Sequence, residues 1–411
     1  MKKKALAILL GAAMVLSMTA CGGGSSSEAP KSDAGSAAGT SSAAEASAAP
    51  EASSGAAEAS AAPEASSGAA EASSTEGGNK GYNFQMIVKS FQSTYWQAAI
   101  QGVEQAKAEL GVEVEANGPA TESDIADQVQ MLDNAIEKKP DGIALAACDT
   151  NSVLDSLAKA QQAGIPVVCF DTGVADAPEG SVYATVATDN TAAGAVAAEN
   201  MFPVIEEKIK AATADAKVRI GEINQDATAL NIQQRGQGFI NKMKELCEGA
   251  GKKVAVVGNE FYVNATENAA AEAEAEVIIE VGVPAQTTPE QCSTEAQKIM
   301  SKEDTIAIFG SNQTSAEGVI GANQTLNKLS TDPAQGIIGA GFDAGTPQKE
   351  AITNGQFIGA VTQSPLMMGY EAVVTLAKIC DGETVADVPM DGYWYTAETM
   401  GDENIAPNLY D

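Results

Sequence analysis

"TESDIADQVQMLDNAIEKKPDGIALAACD", Thr121 to Asp149, contains one full period of the pattern that decides the fold. Ile125, Val129, Leu132 and Ile136 recur at helical spacing, which makes one face apolar. Ser123 stands where an N-cap belongs, and Pro140 stops the run. "GIALAAC" follows, short and apolar throughout, as a strand covered on both faces reads. Asp149 comes directly after it. The stretch therefore predicts an amphipathic helix, a buried strand, and a carboxylate at the strand's carboxyl end.

The same alternation extends in both directions. Upstream lie the strand-like "FQMIVK" and "VEVEA", with a helix between them that carries Ala99, Val103, Ala106 and Leu110 on one face. Downstream come "PVVCFD" and "VYATVATDN", then a second series, "VRIGEIN", "EVIIEV", "TIAIFGSN" and "GIIGAGFD", with helices expected from about Asn231, Pro289, Ser315 and Pro347. "FIGAVTQS", one more helix and the aromatic tail "DGYWYTAETM" complete the pattern. Strand–helix alternation with buried strands predicts α/β architecture: two doubly wound parallel-sheet lobes with a cleft between them.

The first 80 residues read differently. Lys2, Lys3 and Lys4 precede the apolar "ALAILLGAAMVLSM", so residues 1–20 read as an export signal. Cys21 follows small residues and resembles the lipidated cysteine of a bacterial lipoprotein box. Residues 21–80 repeat "AAEASAAPEASSG" and have almost no apolar area to offset ordering entropy, so they read as a disordered linker.

Net charge is −31, and there is no histidine. Nucleic acid is a poor partner for such a chain, because phosphate contacts need clustered Lys and Arg. Without histidine, Ser-His-Asp and Cys-His nucleophile systems and His-dependent metal sites are excluded. Cys148 and Cys169 lie in apolar runs and read as buried thiols. No GxxxxGK[ST] loop is present. The glycines of "GAGFDAG" are wrongly spaced for a dinucleotide loop, and Asp343 would repel a pyrophosphate. No metal and no cofactor is expected.

Ligands of such sheets sit beyond the strands' carboxyl ends. The residues there are polar in both halves: Lys89, Asp149, Asp171 and Thr172 in the first, Asn224, Gln225, Asn312, Asp343 and Gln363 in the second. With Arg235 and the aromatic Tyr95, Trp96 and Phe342, they suit a polyhydroxylated molecule. Carboxylates, amides and guanidinium meet hydroxyls, and ring faces meet C–H patches. The alternative is a glycosidase using Asp149 and Asp171 as its carboxylate pair.

From Tyr82 onward the chain resembles the sugar-binding proteins of ATP-driven importers, in the periplasmic-binding type I group that includes the ribose- and galactose-binding proteins. The resemblance is carried in order by "KSFQSTYWQAAIQGVEQAKAELGV", the opening stretch, "AQQAGIPVVCFDTG", "ATDNTAAGAVAAEN", "RGQGF", "FGSNQTSAEGV", "GAGFDAG" and "TQSPLMMGYEAV". It implies lobes of 81–188 plus 364–388 and 189–363 plus 389–411, with chain crossings near Thr188–Asp189, Gln363–Ser364 and Val388–Pro389. The implied ligand contacts are Lys89, Ser93, Tyr95, Trp96, Asp171, Thr172, Arg235, Asn312, Phe342, Asp343 and Gln363, with Tyr95 and Trp96 as a stacking wall.

The implied role is capture of a small sugar or polyol by a monomer anchored to the membrane through lipid on Cys21. Delivery is to a transporter permease, without catalysis. A sensor presenting the same cleft to a receptor is the other role the resemblance allows. Ribose binders have a small hydroxyl where Lys89 stands, an arginine where Thr172 stands and Phe where Tyr95 stands. Lys89 resembles the branch that takes furanosyl signals and less common sugars.

Overall fold

Each apolar run becomes a strand, and each amphipathic run becomes a helix. The computed structural model describes residues 81–410. The signal, the Cys21 lipid site and the linker lie outside the described residues. In chain order, the first series is β1 (Asn83–Ile87), α1 (Thr94–Leu110), β2 (Glu113–Asn117), α2 (Ile125–Glu137), β3 (Gly142–Leu145), α3 (Leu154–Gln162), β4 (Val167–Phe170) and β5 (Val182–Thr188). The second opens with α4 (Asn190–Ala211), β6 (Val218–Ile223), α5 (Leu230–Gly249), β7 (Val254–Gly258), α6 (Glu260–Ala265) and β8 (Val277–Gly282). It continues with α7 (Pro289–Met300), β9 (Thr305–Gly310), α8 (Gln313–Leu326), β10 (Ile338–Phe342), α9 (Thr346–Thr353) and β11 (Phe357–Thr362). Then α10 (Pro365–Cys380), β12 (Val388–Met390), β13 (Tyr393–Tyr395) and a short 3-10 turn, Ala406–Asn408, complete the chain.

These strands form two sheets. One has the order β12-β5-β4-β3-β1-β2 and is parallel throughout. The other has the order β13-β11-β10-β9-β6-β8-β7, parallel except where β13 runs against β11. The expected pair of doubly wound α/β lobes is present. β7 and α6, within the segment between Cys247 and Cys292, add an edge strand and a short helix to the second sheet.

The chain passes between the sheets three times. It leaves the first after Thr188, and α4 packs into the apolar core of the second. It leaves the second after Thr362, and α10 packs with α1 against the first. The third passage lies between Met390 and Tyr393, because all of β12 pairs with β5. That is later than the expected Val388–Pro389, since the ladder to β5 runs on through Met390.

Local chemistry explains the helix ends that matter. Ser93 caps α1 by accepting from the Tyr95 amide, and Gly111 ends that helix at φ 64°. α2 begins one residue later than the opening stretch suggests. Asp124 takes the N-cap position, and the Ser123 hydroxyl turns away to Thr287 in the other lobe. Gln128 on α2 is fully buried. Its amide donates to the carbonyls of Val88 and Ala146 and accepts from the Cys148 amide, which ties down the ends of β1 and β3. α4 approaches α5 at Gly194, where an added Cβ would lie 2.0 Å from the Arg235 carbonyl oxygen. Only glycine permits that approach, which lets α4 pack against the backbone of α5 at Arg235.

Candidate functional site

Two aspartates occupy equivalent places in the two halves. Asp171 follows β4, and its amide donates to Val186 of the adjacent β5. Asp343 follows β10, and its amide donates to Val361 of the adjacent β11. Both sit in the left-handed region, at φ 59° and 74°. This is strained backbone for a side chain with a Cβ, and aspartate tolerates it better than most. The bend turns each carboxylate from its strand end into the space between the lobes.

A small cavity of about 20 Å³, room for a single water molecule, lies there. Lys89, Ser93, Tyr95, Trp96 and Asp171 border it from one lobe; Arg235, Asn312 and Asp343 border it from the other, with Gln363 at a crossing. Thr172 and Phe342 do not border it. The Thr172 hydroxyl donates to Asp171 Oδ2 at 2.8 Å. The Phe342 ring carries the Arg235 guanidinium on its face, 3.7 Å from the ring centre. Both hold another residue in place from behind.

Asp171 is the hub of the first lobe's side. It accepts from Tyr95 Oη at 2.6 Å and from Asn231 Nδ2 at 2.9 Å, and it pairs with Lys89 Nζ at 3.2 Å. The pair is 1 % and 3 % exposed, so solvent screens it little. Burial opposes the charge on Lys89, but the carboxylates of Asp171, Glu122 and Asp226 hold its ammonium above the ordinary lysine pKa. Lys89 also donates to Asn231 Oδ1 at 3.1 Å and stands 5.9 Å from the centre of the Trp96 ring. Trp96 packs edge-on to Tyr95 and Phe170, and its indole N–H donates to Glu122 at 2.8 Å.

Arg235 is the hub of the second. Its Nε and Nη2 reach Asn190 Oδ1 at 3.1 and 2.7 Å, Nη1 reaches the Ser311 carbonyl at 2.9 Å, and Nη2 reaches Gln363 Oε1 at 3.4 Å. Gln363 in turn donates to Asp343 at 2.7 Å and accepts from Thr188 at 2.8 Å, so one amide joins two of the crossings. Burial raises the Asp343 pKa, with Arg235 pulling it back down.

Six bordering residues were absent from the expected contacts: Glu122, Gln225, Asn231, Ile232, Gln313 and Thr314. Gln225 donates across the cleft to Glu122 at 2.6 Å and accepts from Asn312 at 2.5 Å. Asn231 could have been found by spacing, because it precedes Arg235 by one helical turn on the same face. Gln313 follows Asn312 at the start of α8, and its amide N–H donates to Asp343. Glu122 had only its place in a strand-end loop to mark it. Asp149, the other half of the hydrolase pair, does not border the cavity; it accepts from the Ser152 amide at 2.7 Å in a local turn.

Beneath this site, on β6, Glu222 is fully buried, and neither carboxylate oxygen has a hydrogen-bond partner among the described residues. Burial pushes its pKa well above the ordinary value, with the neighbouring Asn224 pulling the other way. The folded form then binds the proton more tightly than the unfolded chain does. Stability from this group is full below the ordinary glutamate pKa and falls as pH rises through the raised one. Glu222→Gln therefore raises the melting temperature at neutral pH and flattens its fall toward alkaline pH. Thermal melts across pH check this, and parallel curves for the two proteins would refute it.

The comparisons with known proteins agree with this geometry. Residues 84–384 match the family model described as a periplasmic binding protein domain. The ribose import binding protein of Haemophilus influenzae is 22% identical over 74% of this chain and 88% of its own length. A solved ABC transporter protein of the LacI transcriptional regulator family, from Brachyspira murdochii, superposes with a TM-score of 0.66 at 29% identity, over 81% of this chain and 100% of that one. An ABC transporter solute binding protein from Agrobacterium vitis, solved with bound D-fucose, gives 0.65 at 25% identity, over 80% and 100%. Two doubly wound lobes, three crossings and a polar cavity between them, together with a family match over most of the chain, make this protein a member of the periplasmic binding protein family, with the type I architecture.

Proposed function

We propose that this protein captures a small sugar or polyol between its lobes and delivers it to the permease of an ATP-driven importer. It works as a monomer outside the cytoplasm, held to the membrane by lipid on Cys21. The observation that carries the reading is the convergence of Lys89 and Asp171 from one lobe with Arg235 and Asp343 from the other on one cavity. Each charge is already aimed by a partner, so hydroxyls entering the cavity meet oriented donors and acceptors. Ser93, Asn312 and Gln363 add neutral polar groups to the same wall. The relatives named for ribose and for bound D-fucose support a sugar as the ligand class.

The lobes meet through Thr94 with Gln313, Ser123 with Thr287, Glu122 with Gln225, Thr150 with Thr228, and Asn231 with Lys89 and Asp171. Opening the cleft breaks these contacts, and the three crossings absorb the rotation. Binding without turnover fits the separation of Asp149 from the cavity.

A fluorescence and calorimetry panel of pentoses, hexoses and polyols tests the reading. At least one member binds the well-folded protein and shifts tryptophan emission through Trp96. No response across the panel would sink the sugar assignment. Lys89→Ser removes the cation paired to Asp171 and re-ranks the panel, because the freed carboxylate favours a different hydroxyl pattern. An unchanged ranking would make Lys89 a structural residue only.

A further inference from the structure

The chain returns to the site after its last strand. Ile405 is buried in the core of the second lobe. Next, Asn408 is held at the second crossing: its carbonyl accepts from Thr362 Oγ1 at 2.7 Å and its side-chain oxygen accepts from Ser364 Oγ at 2.5 Å. Lys349 Nζ donates to the Tyr410 carbonyl at 2.8 Å. These ties aim the Tyr410 side chain into the gap between the lobes.

Its ring meets Tyr95 edge-on, with centroids 5.9 Å apart, and Tyr95 Oη is the 2.6 Å donor to Asp171. Its hydroxyl accepts from the Ala344 amide at 3.3 Å and donates to Gln313 Oε1 at 3.2 Å. Ala344 directly follows Asp343, and Gln313 both donates its amide N–H to Asp343 at 2.8 Å and reaches Thr94 of the other lobe at 3.0 Å. One side chain thus touches the supports of both strained aspartates.

We propose that Tyr410 is a positioning residue of the binding site, holding Tyr95 in one lobe and the Asp343–Ala344 turn in the other, so that one tail residue aligns the two ligand-facing aspartates. The proposal rests on the sugar-site reading for its consequence, not for its geometry. Burial keeps the Tyr410 phenol protonated, so it remains a donor. The two halves of its role are separable, because the ring serves Tyr95 and the hydroxyl serves Ala344 and Gln313.

Backbone amide exchange on the full chain without added sugar tests it, with Tyr370→Phe as a control that loses only a surface bond to Glu109. Tyr410→Phe keeps the ring and speeds exchange at Ala344 about two- to tenfold, as loss of one net hydrogen bond implies, while the start of α1 stays protected. Tyr410→Leu speeds exchange at both places. In titrations with D-ribose and D-fucose followed by tryptophan emission, both variants bind more weakly than wild type. Unchanged Ala344 exchange in Tyr410→Phe overturns the proposal. So does a uniform rise over both sheets in Tyr410→Leu, which would mark a role in overall folding, or an affinity equal to wild type in both variants. If neither sugar binds wild type, the exchange pattern still decides Tyr410, and only the sugar reading falls.

Discussion

Asp171→Ala abolishes ligand binding and lowers the stability of the fold by about 3–5 kcal/mol. The carboxylate accepts from Tyr95, Thr172 and Asn231 and neutralises Lys89. Removing it leaves an ammonium that is 1 % exposed beside three donors that no longer have their acceptor. A buried charge without its partner costs far more than the net worth of the intact pair. The same substitution releases the contact by which Asn231, from the other lobe, reaches across the cleft. Calorimetric unfolding with sugar titration separates the two losses. A variant that melts within a degree or so of wild type would mean that Lys89 finds another partner, and the hub assignment would fail. Lys89→Met combined with Asp171→Ala recovers much of the stability and none of the binding, because the pair is replaced by apolar volume.

Arg235→Lys weakens binding by about 100-fold or more, although charge is conserved. A guanidinium fork meets Asn190, the Ser311 carbonyl and Gln363 at once, and its plane lies on the Phe342 ring. An ammonium is a point charge with no plane, so it cannot satisfy those acceptors together or stack. The loss of two charge-assisted hydrogen bonds, at about 1.5–3 kcal/mol each, accounts for the factor. In Arg235→Gln, by contrast, Asp343 loses the cation that opposes the effect of burial, so its pKa rises further and residual binding falls as pH is lowered through it. Binding by Arg235→Lys within threefold of wild type at neutral pH would show that Arg235 acts only as a buried structural cation.

Much of this was legible in the chain because it follows from local periodicity. α2 and β3 appear where the opening stretch placed them, since apolar spacing and a proline stop depend on neighbours in sequence. The strand-end rule drew attention to Asp171, Asn312, Asp343 and Gln363, all of which border the cavity. Ser123 escaped as an N-cap because Thr287, 164 residues away, competes for its hydroxyl. Thr172 and Phe342 were expected at the ligand, yet they stand behind Asp171 and Arg235. Whether a strand-end side chain faces the cleft or supports its neighbour depends on backbone direction at one residue, and no periodicity records that.

By itself, the sequence determined the alternation of buried strands and amphipathic helices, the division into two similar halves, and the strand ends where a ligand belongs. Those properties are set by contacts within a few residues and by the burial of apolar faces. Only the tertiary structure decided which polar side chains meet across the cleft. Glu122 finds Gln225, Asn231 finds Asp171, and Tyr410 reaches Tyr95 and Ala344. The physical reason is distance along the chain: these partners are separated by scores to hundreds of residues, and their pairing exists only once three crossings bring the two sheets face to face.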